Sequence, residues 1–130
     1  MQKLDGTRAQ IAIVDDDFSV RAALGNLLRS VNYKTLLFES AEAVLQSNAL
    51  REISFMVLDV KLKGISGIEL FERLRAAEVN IPTAFISGNA GLNTQLRIAR
   101  AGAVLFLSKP VDVELLLRTI DDTLNAIALP

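Results

Sequence analysis

The segment Ile11-Ala12-Ile13-Val14-Asp15-Asp16-Asp17 is a short, continuous apolar run that ends in three carboxylates. Three later segments are also almost entirely apolar, and each is followed at once by a polar side chain. They cover residues 53–58, 84–86 and 103–107, and the polar residues after them are Asp59, Ser87 and Ser108. Apolar runs without alternation are typical of strands that are buried on both faces. A weaker strand is predicted over residues 35–38.

Segments with helical periodicity separate these runs. The first predicted helix places apolar residues on one face and ends near Asn32, which tolerates a left-handed conformation. Ser40 is predicted to cap a second helix to about Asn48, and Ser66 opens a third in a capping box with Glu69. A fourth helix is predicted over residues 92–101, before Gly102, and a fifth begins at Asp112. The predicted inward residues of the first and fifth helices are Val20, Leu24, Leu27, Leu28 and Val31, and Val113, Leu116, Leu117, Ile120, Leu124 and Ile127.

Strict alternation of strands and helices predicts an α/β fold with a parallel sheet that is covered on both faces. For five strands with right-handed crossovers, we expect the flavodoxin-like, doubly wound order 2-1-3-4-5 with five helices. In such sheets a ligand lies beyond the carboxyl ends of the strands, next to strands 1 and 3.

Composition excludes several functional classes. The 130 residues contain no cysteine and no histidine, which excludes disulfides, thiol nucleophiles and Ser-His-Asp triads. A net charge of −1 gives no basic footprint for nucleic acid, and no apolar run approaches the roughly 20 residues that span a bilayer. We expect a soluble, cytoplasmic protein with one domain over residues 1–130, of which residues 1–8 are flexible.

Polar residues from four strands meet at one predicted edge of the sheet. Carboxylates of Asp15, Asp16 and Asp59 in one crevice would repel each other unless a cation joined them, and Mg²⁺ prefers such oxygen ligands. Ser87 and Lys109 would add a hydroxyl and an ammonium group, which suit a phosphoryl group. A carboxylate can itself serve as the nucleophile and form an aspartyl phosphate.

Each of these residues also has a purely structural interpretation. Asp17 fits the N-cap of the first helix better than any chemical role. Asp59 could be a loop acid, Ser87 a turn residue, and Lys109 a solvated lysine before Pro110. The chemical interpretation depends on all of them reaching the same edge.

Together these residues resemble the receiver domain of two-component response regulators, closest to the nitrogen-fixation regulator type with a helix-turn-helix output domain. The resemblance extends from Ala9 to Ile127. An acidic pair, a central Asp, a Ser and a Lys-Pro pair at these spacings form a specific signature. The matching stretches are residues 13–17, 20–24, 38–42, 58–60, 64–70, 81–82, 87–88, 101–103 and 106–110.

The resemblance assigns roles at the predicted edge. It implies that Asp59 is the phospho-acceptor and that Asp16, Asp15 and Asp59 bind Mg²⁺ together with the backbone carbonyl of Lys61. Ser87 would contact the phosphoryl group, and Lys109 would pair with that group or with Asp59. The peptide bond before Pro110 would be cis.

The resemblance further implies a signalling switch, not an enzyme that acts on another substrate. A sensor histidine kinase would phosphorylate the chain, which would assist only its own phosphorylation and dephosphorylation. Ser87 and Phe106 would then move and change the surface of the fourth helix, fifth strand and fifth helix. Phe106 as plain core packing is an equal alternative. DNA would be contacted only through an output domain absent from this chain, and no membrane partner is expected.

Four positions depart from the usual pattern of this family. Lys63 replaces a common proline, Asn89-Ala90-Gly91 replaces a common His-Gly-Asp, and Lys61 adds a charge near Asp59. Leu105 stands where related sequences often have Asp. With Leu96 and Ile98 it could form an apolar interface for phosphorylation-linked homodimers, although a buried strand residue is an equal alternative.

Two other functions compete with this one. The chain loosely resembles phosphatases of the haloacid-dehalogenase type, in which Asp15 would be the nucleophile and Asp17 the general acid. That alternative leaves Asp59 unexplained. The other is a receiver-like docking module that is never phosphorylated.

Overall fold

The sheet of this protein has five parallel strands, as the sequence predicts. The computed structural model describes residues 9–128, so the expectation of a flexible segment 1–8 lies outside the described residues. The strand order is β2-β1-β3-β4-β5, which confirms the flavodoxin-like prediction. The strands are β1 Gln10–Val14, β2 Lys34–Phe38, β3 Phe55–Asp59, β4 Thr83–Ser87 and β5 Leu105–Ser108.

Two strands begin two residues later than predicted, and the other strand boundaries differ by no more than one residue. β3 begins at Phe55 and not at Ile53, and β5 begins at Leu105 and not at Ala103. In both cases the ladder sets the start, because the first paired residues are Ile11 with Phe55 and Ala84 with Leu105. An apolar residue before that point packs on the core without joining the ladder.

The five predicted helices are present, with one clear change in length. They are α1 Phe18–Ser30, α2 Ala41–Leu45, α3 Gly67–Ala76, α4 Leu92–Ala101 and α5 Val113–Ala128. α2 stops before the predicted Asn48, and a short 3₁₀ turn follows at Leu50–Glu52. Ser47 provides the reason, since its Oγ accepts from the Ala49 backbone N–H at 3.0 Å and so competes with helical pairing.

Polar caps fix where the helices begin and end. Asp17, Ser40 and Ser66 each accept backbone N–H groups at the starts of α1, α2 and α3. Asn32 and Gly102 adopt left-handed φ values of 76° and 98° just after α1 and α4. The three N-caps therefore lie near the sheet edge that carries the polar residues, whereas Asn32 and Gly102 lie at the opposite edge, just before β2 and β5.

Two apolar clusters lie on opposite faces of the sheet. One packs α2, α3 and Ile98 of α4 against the sheet, and the other packs α1 and α5 against its second face. Three residues predicted to face inward, namely Val31, Val113 and Ile127, are instead exposed. They lie at or near helix ends, where the apolar stripe extends past the sheet. Among the described residues, no helix is both long and apolar enough to cross a membrane.

Candidate functional site at the carboxyl edge of the sheet

The parallel strands bring the predicted polar residues to one edge. Asp15 directly follows β1, Asp59 ends β3, Ser87 ends β4 and Lys109 directly follows β5. The registers keep the strand ends level, since Asp59 pairs with Ile86 and Ser87 pairs with Ser108. The fold thus joins side chains that are far apart in sequence.

Three carboxylates form a compact acidic cluster at this edge. Oxygen atoms of Asp15, Asp16 and Asp59 all lie within 4.8 Å of one another. Asp15 is 0% exposed and Asp59 is 5% exposed, whereas Asp16 faces solvent. Oδ1 of Asp15 accepts from the Asp17 backbone N–H at 2.8 Å, but its buried Oδ2 accepts no hydrogen bond among the described residues. Such a cluster of closely spaced carboxylates, two of them on buried residues, fits a hard divalent cation.

Lys109 supplies the positive charge at this cluster. Its Nζ lies 3.0 Å from Asp15 Oδ2, a close ion pair without hydrogen-bond geometry, and it donates to Asp59 Oδ2 at 3.2 Å. Burial by itself lowers the pKa of Lys109, but contacts with the two carboxylates outweigh burial and raise it. Lys109 therefore remains an ammonium group at neutral pH.

Asp59 is held in an unusual electrostatic state. Burial, followed by the neighbouring charge of Asp15, raises the pKa of Asp59 to about 6. Two contacts oppose this shift, namely the backbone N–H of Lys61 at 3.1 Å from Oδ1 and the ammonium group of Lys109. Asp59 is thus a mostly ionised carboxylate at neutral pH. A nearby cation, or bond formation with an electrophile, would stabilise its negative charge.

The other predicted residues lie around this centre. Ser87 is buried, and its Oγ accepts from the Asn89 backbone N–H at 3.2 Å. Phe106 is half-buried and packs against the apolar core cluster that lies under α3 and α4. The Lys109–Pro110 peptide bond is cis, the isomer that the resemblance implies. The side chain of Lys61 is exposed, and the contact of this residue with Asp59 is made by its backbone N–H.

Asp17 lies at the same edge but has a structural role. Its Oδ1 accepts the backbone N–H groups of Ser19 at 2.8 Å and Val20 at 3.4 Å. This confirms the helix-cap interpretation. A carboxylate used in this way is poorly suited to act as a general acid, which weakens the alternative of a haloacid-dehalogenase phosphatase.

The expected apolar interface is only partly exposed. Leu96 is 43% exposed, but Ile98 is 2% exposed and belongs to the core. The prediction that Ile98 contributes to an exposed patch was therefore wrong, because the single buried position of α4 faces the sheet. Leu105 is half-buried and packs with the α1 and α5 cluster, on the sheet face opposite to Ile98.

Three further residues shape the site without having been predicted to do so. Arg21 Nη1 donates to the backbone carbonyl of Asp15 at 2.6 Å, and Glu42 accepts from the backbone of the loop after β3. A Cβ on Gly67 would lie 2.0 Å from the Asp59 carbonyl oxygen, so only glycine fits there. The one sequence signal was Gly67 itself, since glycine is a poor helix former and is used where two backbone segments approach closely.

Known proteins share this fold and sequence pattern. The response regulator receiver domain family matches residues 11–121. Nodulation protein W of Bradyrhizobium diazoefficiens is 42% identical over 111 residues, which cover 85% of this chain and 49% of that protein. The transcriptional regulatory protein FixJ of the same organism is 33% identical over 121 residues, which cover 92% of this chain and 58% of FixJ.

A solved structure gives the same assignment. The low-resolution structure of response regulator StyR superimposes with a TM-score of 0.83 at 38% identity and covers 92% of this chain and 60% of that one. The coverage of Nodulation protein W and FixJ shows that the chain spans about half the length of the curated relatives it matches. The phosphatase alternative has no support in these matches. By its sequence, its strand order and the residues at its sheet edge, the chain belongs to the response regulator receiver domains, the phospho-accepting signalling domains of two-component systems.

Proposed function

We propose that Asp59 accepts a phosphoryl group from a sensor histidine kinase and that Mg²⁺ is required for the transfer. The observation that carries this proposal is a buried carboxylate, 5% exposed, with Lys109 Nζ at 3.2 Å and two further carboxylates alongside. A carboxylate oxygen of Asp59 attacks phosphorus, the new O–P bond forms, and the bond from phosphorus to the donor breaks. The electron pair of that bond leaves with the donor.

The acidic cluster is the proposed metal site. Asp15, Asp16, Asp59 and the backbone carbonyl of Lys61 would hold the ion, and the close spacing of the three carboxylates, with Asp15 and Asp59 buried, supports this. Bound Mg²⁺ would neutralise charge on the phosphoryl oxygens and on the crowded carboxylates. The ligand set contains only hard oxygen atoms, which favours Mg²⁺ over softer transition metals.

Lys109 and Ser87 would stabilise the transferred group. The ammonium group of Lys109, now shared by Asp15 and Asp59, would compensate the charge of a phosphoryl group on Asp59. Ser87 would donate its hydroxyl proton in a hydrogen bond to a phosphoryl oxygen. Its Oγ is buried at the edge and already accepts a hydrogen bond from the Asn89 backbone N–H, which leaves the hydroxyl proton to donate.

The proposed response is a change in the α4, β5 and α5 surface. Ser87 ends β4 and moves toward the phosphoryl group, and Phe106, which pairs with Phe85 on β4, changes its packing. Leu96 and Leu105 are the proposed interface residues of a phosphorylation-linked homodimer, without Ile98. The chain would assist only its own phosphorylation and dephosphorylation, and any DNA contact would go through an output domain outside this chain.

The test is intact mass after incubation with acetyl phosphate and Mg²⁺. The wild-type chain should gain one labile phosphoryl group, and Asp59→Asn should gain none. Asp17→Asn is the matched control, because it changes a carboxylate at the same edge, keeps a good helix cap and should retain the adduct. An unmodified wild type would favour the docking module, and an adduct on Asp59→Asn would assign the chemistry to another aspartate.

A further inference from the structure

The loop between β3 and α3 passes directly beside the proposed phospho-acceptor. It covers residues 60–66 and contains Lys61, whose backbone is placed at Asp59. The loop contains no proline, and Lys61, Lys63 and Gly64 are all exposed. Without the fixed φ of a proline, another contact must restrict the backbone if the loop is to keep one geometry.

Glu42 on α2 makes such a contact. Its Oε2 accepts from the backbone N–H of Ile65 at 3.0 Å, across 23 residues of sequence. Glu42 is itself placed precisely, since it lies in the first turn of α2, which Ser40 caps through the Ala43 backbone N–H. The hydrogen bond from Ile65 is the main cause that lowers the pKa of Glu42, so the carboxylate stays charged and able to accept.

Gly64 makes room for this carboxylate. Its φ of +77° is a left-handed conformation that favours glycine. A Cβ on Gly64 would lie 2.4 Å from Glu42 Oε2 and 3.2 Å from its carboxyl carbon. The absence of a side chain at Gly64 therefore leaves space for the Glu42 carboxylate beside the loop.

Other contacts fix the two ends of the same loop. At its start the Lys61 backbone N–H donates to Asp59 Oδ1 at 3.1 Å, and at its end Gly67 donates to the Val60 carbonyl at 3.0 Å. Glu42 holds the loop between these two points, next to Ile65, which packs on the core. All three contacts together define the path of the backbone from Lys61 to Gly67.

We propose that Glu42 is a positioning residue for phosphoryl acceptance: its carboxylate, bonded to Ile65 beside Gly64, holds the β3–α3 loop so that Lys61 presents its backbone to the metal site. The inference rests on the proposed function, because it concerns the same acidic cluster. Glu42 itself touches neither Asp59 nor the proposed metal ligands in this role. It acts through the loop.

The experiment compares Glu42→Ala and Glu42→Gln with the wild type. Glu39→Ala is the matched control, because it removes an exposed carboxylate just before α2 that is not bonded to the loop. Hydrogen exchange of the Ile65 amide, followed by NMR without phosphodonor, reports the contact directly. In Glu42→Ala this amide should exchange about tenfold faster, as expected for a lost charge-assisted hydrogen bond. Glu42→Gln keeps an oxygen acceptor and should lie between Glu42→Ala and the wild type.

The functional readout is the Mg²⁺ dependence of acetyl phosphate labelling. A loosened loop should raise the Mg²⁺ concentration for half-maximal rate in Glu42→Ala by up to about tenfold, the lower end of the effect of removing an outer-shell contact. The rate at saturating Mg²⁺ should change much less, since Asp59 and Lys109 are untouched. Glu39→Ala should match the wild type in both measurements.

Distinct results would overturn the two proposals separately. Unchanged Ile65 exchange and Mg²⁺ dependence in Glu42→Ala, or equal changes in Glu39→Ala, would overturn the positioning role. The other outcome concerns the proposed function. If the Ile65 amide exchanges faster in Glu42→Ala than in the wild type and the wild type binds Mg²⁺, but the wild type never takes up a phosphoryl group, the proposed function alone would be contradicted.

Discussion

Replacing Asp59 with Asn should stabilise the metal-free fold at neutral pH. Asp59 is 5% exposed and lies in a cluster with Asp15 and Asp16, so its ionised form is destabilised in the folded state. Raising its pKa from 3.8 to about 6 corresponds to about 3 kcal/mol of unfolding free energy. This value already includes the ion pair of Asp59 with Lys109, which lowers the pKa of Asp59, and it treats the Asn side chain as equivalent to the protonated carboxyl group.

The sign of the pH dependence follows from the raised pKa. Below about pH 4 Asp59 is protonated in both the folded and unfolded states, and the substitution should change stability little. As the pH rises from about 4 to about 6, the unfolded chain releases the Asp59 proton while the folded wild type still holds it, so the free energy of unfolding of the wild type falls. The stability gain of Asp59→Asn should therefore appear between about pH 4 and 6 and stay constant above that range.

Urea unfolding followed by circular dichroism in EDTA, at several pH values, measures this effect. A gain of about 3 kcal/mol should raise the urea midpoint at pH 8 by about 1 to 3 M. Asp16→Asn is the matched control, since Asp16 belongs to the same cluster but is exposed, and its midpoint should shift far less. Equal midpoints for Asp59→Asn and wild type at pH 8, or a gain that persists undiminished at pH 4, would refute the reasoning.

Three further changes test other parts of the site. Gly67→Ala would place its Cβ 2.0 Å from the Asp59 carbonyl oxygen, so urea unfolding should show a loss of about 1 to 3 kcal/mol and intact mass should show reduced phosphoryl uptake. Lys109→Met removes the cation shared by Asp15 and Asp59, which should lower stability at pH 8 by about 1 to 3 kcal/mol and move the NMR titration of Asp59 to higher pH. Ser66→Ala removes the N-cap of α3, and thermal unfolding should show a loss of about 1 kcal/mol without a change in the titration of Asp59.

Helix ends were predicted reliably from local sequence signals. The caps at Asp17, Ser40 and Ser66 and the left-handed residue Asn32 were predicted from single residues, because each acts on backbone groups within a few positions. The second half of the predicted capping box did not form as expected, since the Glu69 carboxylate accepts from Arg73. Side-chain partners of an exposed residue depend on neighbours that a short motif does not specify.

The grouping of Asp15, Asp59, Ser87 and Lys109 was also predictable, although these residues lie far apart in the sequence. Continuous apolar runs imply parallel strands, and parallel strands bring every residue that follows a run to one edge. The sequence alone therefore determined the fold class and the grouping of these four residues at one edge. Burial within that site, which sets the raised pKa of Asp59, could not be read from the pattern.

Tertiary structure decided the features that depend on close approach between distant segments. Ile98 is core while Leu96 is exposed, because the rotation of α4 on the sheet is set by packing and not by composition. Likewise, Glu42 reaches Ile65 because α2 lies beside the β3–α3 loop, and nothing in either segment names the other. Periodicity and caps act over one or two turns, whereas these contacts depend on distances that arise only when the whole sheet and its helices are assembled.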